Sequence, residues 1–175
     1  MSDLDLSDST ARDPAQQGAP QPILRPDGRQ SAVALKVQRG VRRLFAQLGH
    51  ATLPEVTLAN GRRADVLALS SNGVLTIVEI KSCVADFRAD RKWPDYRDFC
   101  DRFYFAAPDT MPVEILPEDC GLIVADSFGA AIIRDACHHP LPGARRKAVT
   151  LRFAHSAALT LHRLADPESM HQGGF

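Results

Sequence analysis

No apolar run in this sequence approaches the ~20 residues that a membrane-spanning helix requires. Neither sign of charge is in surplus, since Lys plus Arg and Asp plus Glu are 21 each. A uniformly basic nucleic-acid glue or a uniformly acidic chain is thereby excluded, and any electrostatic argument must be local. The amino terminus, Met-Ser-Asp-Leu-Asp-Leu-Ser-Asp, has neither the positive flank nor the apolar stretch of a secretory leader, so a soluble, cytoplasmic protein is expected. Cysteine is scarce and dispersed. Cys83, Cys100, Cys120 and Cys137 stand 17 to 20 residues apart, which rules out a close-paired zinc knuckle or redox dithiol and predicts separate reduced thiols. His138 and His139 are adjacent, and His155 and His162 are two helical turns apart; neither pair has ligand spacing. There is no glycine-rich phosphate loop, no Ser-His-Asp arrangement and no internal repeat.

What remains suffices for one core: 175 residues, 45% of them hydrophobic. Residues 1–29 are rich in Asp, Pro and Gln, a composition that cannot offset chain entropy, and are expected to form a disordered tail. A folded domain is expected over 30–167, with a flexible C-terminal tail over 168–175. Val33, Val37, Val41, Leu44, Phe45 and Leu48 recur at helical spacing and predict a first helix from Ser31 to Leu48, closed by Gly49. Strand-like runs follow at Thr52 to Leu58, Arg62 to Ser70 and Val74 to Lys81. The Asn60-Gly61 and Ser71-Asn72-Gly73 turns between them predict an antiparallel meander. A second helix is expected within Ala85 to Arg102, with Pro94 in its first turn. Strands at Phe103 to Ala107, Gly121 to Asp126 and Ala130 to Asp135 precede a closing helix from Ala144 to Ala165. The expected class is α/β, a central mixed sheet flanked by helices, in the order α-β-β-β-α-β-β-β-α.

The strongest anomaly lies at the end of the third strand. Leu75, Ile77, Glu79 and Lys81 share a face at period two, and so do Arg63, Asp65, Leu67 and Leu69 on the strand before it. If the two strands pair through the Ser71-Asn72-Gly73 turn, Asp65 and Glu79 become neighbours. Two carboxylates and an ammonium then meet in one half-buried notch. A structural ion pair is one reading, although buried pairs are costly. A hard-metal site is the other, because paired carboxylates with a backbone carbonyl and waters suit magnesium or manganese.

Arg62-Arg63-Ala64-Asp65-Val66 and Val78-Glu79-Ile80-Lys81-Ser82, in this order of elements, resemble the PD-(D/E)XK nuclease superfamily. More specifically, the run from Val84 to Tyr96 together with Leu116 to Asp126 resembles the bacterial MmcB-type DNA-repair family, a likeness extending from Gln30 to Pro167. The resemblance implies a restriction-endonuclease-like core and phosphodiester hydrolysis with Mg²⁺, or Mn²⁺. Asp65, Glu79 and the Ile80 carbonyl would be metal ligands, and Lys81 the cation facing water or phosphate. Many relatives add an acid on the first helix, but Gly28 to Pro54 contains none; Gln38 is the nearest polar substitute and Glu55 the nearest carboxylate. With a two-residue Asn60-Gly61 turn, Glu55 stands opposite Val66 and faces away from Asp65, whereas a bulge or longer loop would bring it in as a further catalytic carboxylate.

The neutral total conceals segregation. Arg39, Arg43, Arg62 and Arg63 precede the notch with Glu55 as their only acidic company, and no acid lies between Ala136 and Ala165, where Arg145, Arg146 and Lys147 fall. These are expected DNA contacts, or else solvated helix faces. Arg88, Lys92, Trp93 and Tyr96 follow the notch and could contact a flanking nucleotide, with core packing as the alternative for Trp93. Asp86 and Asp90 have a choice between the nearby arginines and the chemistry. The expectation is a metal-dependent DNA nuclease in repair, with DNA and other repair proteins as partners. The alternative is a nuclease-fold DNA-binding or scaffold protein without turnover.

Overall fold

The computed structural model describes residues 31–167; both expected tails lie outside them. Helix α1 (Ala32–Gln47) begins where Ser31 accepts a hydrogen bond from the Ala34 amide. Strands β1 (Ala51–Thr57), β2 (Arg63–Leu69) and β3 (Leu75–Ile80) form the antiparallel meander. Gly61 and Gly73 turn the chain with φ of 79° and 84°, values that L side chains seldom adopt.

The expected second helix arrives in two pieces, α2 (Val84–Ala89) and a 3-10 helix (Trp93–Phe99), with Pro94 in the latter's first turn. The break falls at residues 90–92, where the Asp90 backbone turns extended and its carboxylate accepts from Lys81 and from the Lys92 amide, and Pro94 then sits in the first turn of the new helix, where its missing amide does no harm. Strands β4 (Arg102–Ala107), β5 (Gly121–Ala125) and β6 (Ala130–Arg134) complete the sheet, and α3 (Gly143–Ala165) closes the fold. A short 3-10 turn, Val113–Ile115, lies between β4 and β5. The strand order is 1-2-3-4-5-6, with β3, β4 and β5 parallel and the outer pairs antiparallel.

The sheet separates two cores. On one face Val66, Val78, Ile80, Tyr104 and Ile123 pack beneath Val37, Val41 and Phe45 of α1. On the other, Leu67, Ile77, Phe103 and Phe105 meet Tyr96 and Phe99 of the 3-10 helix and Val149 and Phe153 of α3. Gly40 lets α1 approach closely: a methyl group there would run into the carbonyl oxygens of Asp126 and Gly129 in the β5–β6 turn.

One polar cluster braces this architecture. Asp101 is fully buried, and its carboxylate accepts hydrogen bonds from the Leu75 and Leu141 amides, 2.8 Å each, and from Arg146 Nη1 and Nη2 at 2.7 and 2.6 Å. Burial alone would push its pKa up, but the Arg146 hydrogen bonds and the two amides hold it below the usual carboxylate range. The start of β3, the approach to α3 and the first turn of α3 are thereby fixed to one side chain.

Candidate active site at the splayed end of β2 and β3

All six residues from Leu75 to Ile80 are buried, so β3 is the central strand. Its ladder to β2 runs from Leu69↔Leu75 to Val66↔Val78 and stops there. Continuing that register sets Asp65 across from Glu79. Beyond the last pair, the Ile80 amide donates to Asp65 Oδ2 at 2.8 Å instead of to a backbone carbonyl. The strands part where the polar residues begin, and the side chain of Asp65 replaces the missing ladder bond.

Lys81 follows β3 with its side chain only 3% exposed. Its Nζ donates to Glu79 Oε1 at 3.2 Å and to Asp90 Oδ2, beyond α2, at 2.6 Å. Burial pulls the Lys81 pKa down, but Glu79 and Asp90 outweigh it and hold the amine above its ordinary value. Burial raises Asp90 as well, yet the hydrogen bond from Lys81 and the Lys92 amide leave it below the usual range.

The other two carboxylates behave oppositely. Burial raises Asp65 to about 6 against the Ile80 hydrogen bond and Lys81, and burial with repulsion from Asp65 raises Glu79 to about 8. Near neutral pH the pair therefore retains close to one proton. Glu79 Oε2 is buried without a hydrogen-bond partner among the described residues.

Tyr96 borders the notch. Its hydroxyl donates to the Arg63 carbonyl at 3.0 Å, and burial, with the charges of Glu79 and Asp65, pushes its pKa up, so the phenol stays neutral. From α1, Gln38 Nε2 reaches the Asp65 carbonyl at 3.4 Å. The first helix thus touches the site through an amide and brings no charge.

Glu55 sits on β1 in the register of a longer β1–β2 loop. Pro54 pairs with Val66 and Val56 with Ala64, so Glu55 falls level with Asp65. The backbone there is left-handed, φ 54°, and the carboxylate lies 3.6 Å from Arg63. Of the two expected registers the structure takes the longer-loop one, which sets Glu55 level with Asp65, and the carboxylate there is paired with Arg63.

Several residues expected to contact nucleic acid are already engaged within the fold. Arg146 is committed to Asp101 and to the Gly73 carbonyl at 2.7 Å, and Arg43 holds the Ser127 and Phe128 carbonyls, both at 3.0 Å. Arg62 pairs with Asp95 through two nitrogens at 3.1 and 3.0 Å. Trp93 stacks on Phe103 and meets Phe105 edge-on, taking its core alternative. Arg145 lies over the Phe99 ring. Arg39, Arg88, Lys92 and Lys147 are exposed. Sequence reasoning missed Asp101, whose only signal was an acid immediately ahead of a strand. It also left Asp90 undecided, and the structure pairs that residue with Lys81. All four cysteines are free thiols, Cys100 and Cys120 buried and the other two exposed.

Among the described residues no group of three or more His, Cys, Asp or Glu side chains converges for a metal. The donor set is two carboxylates, and its hard oxygens, partial protonation and unpartnered Oε2 suit a hydrated divalent cation better than a soft metal.

The sheet order, the flanking helices and the Asp and Glu-x-Lys pair define a restriction-endonuclease-like α/β protein. The family model described as DNA repair protein MmcB-like matches residues 21–168, and the chain belongs to that family. Membership assigns a role in DNA repair, with DNA as the corresponding partner. A solved structure of a protein of unknown function from Silicibacter pomeroyi is 39% identical, with a TM-score of 0.77 over 79% of this chain and 94% of that one. Among curated proteins, none matches the chain. No helix of the described residues is long and apolar enough to cross a membrane.

Proposed function

We propose that the protein is a metal-dependent deoxyribonuclease of the PD-(D/E)XK type that hydrolyses phosphodiester bonds during DNA repair. The observation that carries this reading is the unpartnered, buried Oε2 of Glu79 beside Asp65. Two carboxylates forced together at such a cost have an obvious use in holding Mg²⁺ or Mn²⁺. Asp65 and Glu79, with the Ile80 carbonyl, would hold the ion. When bound, it would supply positive charge against the phosphate and lower the pKa of a water.

Lys81 is kept protonated by Glu79 and Asp90. It is therefore not a base: its part is to offset negative charge on the phosphate and to orient the water by donating hydrogen bonds. Asp90 positions that ammonium. Tyr96, neutral and fixed to the Arg63 carbonyl, shapes the wall of the notch.

The test is incubation of the pure protein with Mg²⁺ or Mn²⁺ and a panel of duplex, single-stranded, flapped and branched DNA. Cleavage of at least one substrate is expected, and Asp65→Asn and Lys81→Ala should abolish it. A second reading, DNA binding without turnover, is favoured by one feature: Lys81 is locked between two carboxylates while α1 brings no acid. It predicts salt-sensitive affinity without product, and Glu79→Ala would then bind DNA as well as the parent.

A further inference from the structure

A second concavity lies one turn of the 3-10 helix away from the notch. It is a groove of about 550 Å³ between α3 and the β1–β2 turn, within the size range of small-ligand sites. Leu58, Phe99, Ala148 and Val149 give it an apolar floor, Arg145 and Arg152 are its only charged lining residues, and no carboxylate side chain lines it.

Arg145 is held over a ring. Its guanidinium carbon sits 5.0 Å above the Phe99 ring, and Nη1 donates to the Asp98 carbonyl at 3.0 Å. At the other end Arg152 Nη1 donates to the Thr57 carbonyl at 3.1 Å. A planar cation fixed over an aromatic ring offers its outer face to a nucleobase. A duplex backbone gains nothing from an apolar floor, whereas an unstacked base does, and two arginines complement the phosphates on either side of it.

The groove and the notch are joined by the 3-10 helix Trp93–Phe99, which carries a residue at each. The Tyr96 hydroxyl donates to the Arg63 carbonyl, two residues before Asp65, and Phe99 forms the groove floor three residues later. In a 3-10 helix, side chains three apart eclipse at a rise of about 6 Å, within reach of the adjoining nucleotide. Asp95, next to Tyr96 on the same helix, is paired with Arg62.

We propose that this groove binds an unpaired nucleotide flanking the phosphate at the notch, its base stacked on Arg145, so that the preferred substrate is single-stranded at that position. The proposal rests on the DNA reading of the notch and adds its substrate class.

Fluorescence anisotropy in EDTA tests it without requiring turnover, using two labelled oligodeoxynucleotides of equal length, one all adenine and one abasic throughout. The wild type should bind the adenine strand about tenfold more tightly at fixed salt, the effect of one or two stacked bases. Arg145→Ala and Arg145→Lys, with unchanged melting temperatures, should lose that preference, the lysine variant keeping the parental salt slope. Ala148→Leu, which narrows the groove from an exposed position, should weaken adenine binding alone. Equal affinity of the wild type for both strands, or an undiminished preference in Arg145→Ala, overturns the proposal. Failure to cleave any substrate would instead count against the hydrolytic reading, leaving the stacking result intact.

Discussion

At the scale of single residues, Asp65 and Glu79 carry a testable sign. Both have folded-state pKa values above the ordinary carboxylate range, about 6 and about 8, so the folded chain binds protons more tightly than the unfolded one. Their contribution to stability is best below about pH 4 and is lost as pH rises through 6 and 8. In EDTA, the melting temperature should therefore be lower at pH 8.5 than this pair would allow at pH 5.5, and Glu79→Gln should raise it at pH 8.5 and flatten the dependence. Mg²⁺ should have a similar effect on the wild type and none on Glu79→Gln. Asp101 behaves oppositely, as a buried acceptor with every lone pair committed to Leu75, Leu141 and Arg146. Asp101→Ala leaves two buried amides unmet beside an Arg146 side chain that reaches solvent, and should cost about 2–4 kcal/mol in urea unfolding.

At the scale of elements, packing separates helices that look alike in sequence. Helix α3 has Val149 and Phe153 as its buried residues, while Leu151, Leu159, Leu161 and Leu164 are exposed. Phe153→Ala should cost about 3–5 kcal/mol, and Leu161→Lys should stay within about 0.5 kcal/mol; chemical denaturation distinguishes them. On α1, Gly40→Ala meets backbone carbonyls that cannot swing aside. It should lower stability despite alanine's better helix propensity, a reversal visible in a thermal melt. The sheet was legible in the sequence because period-two patterning and the Gly61 and Gly73 turns act locally. The break between α2 and the 3-10 helix was not, since Ala85 to Arg102 carries a mixture of charges and aromatics that fits several periods. Its aromatics are sorted by the tertiary stack of Trp93, Tyr96, Phe103 and Phe105.

For the whole molecule, the mixed sheet puts β3 in the middle of the order, buried throughout and bordered by β2 and β4. Amide hydrogen exchange should be slowest in β3 and β4 and fastest in α2, which has no buried residue. The charge segregation evident in the sequence was only half informative. Of the arginines in the acid-poor stretches, Arg146 and Arg43 are spent on holding α3 and the β5–β6 turn, a use that depends on partners 45 and more residues away in the chain. The Asp65 and Glu79 juxtaposition was legible because one short turn fixes their register. The Lys81–Asp90 contact crosses an irregular segment and was not.

The same long-range bracing bears on how this protein would respond to random mutagenesis. A screen for inactive alleles would recover Asp101 and Arg146 alongside Asp65 and Lys81, though the first two lie away from the notch. The two groups would part on temperature: alleles at the Asp101 clamp should regain function in the cold, and those at the notch should be dead at every temperature.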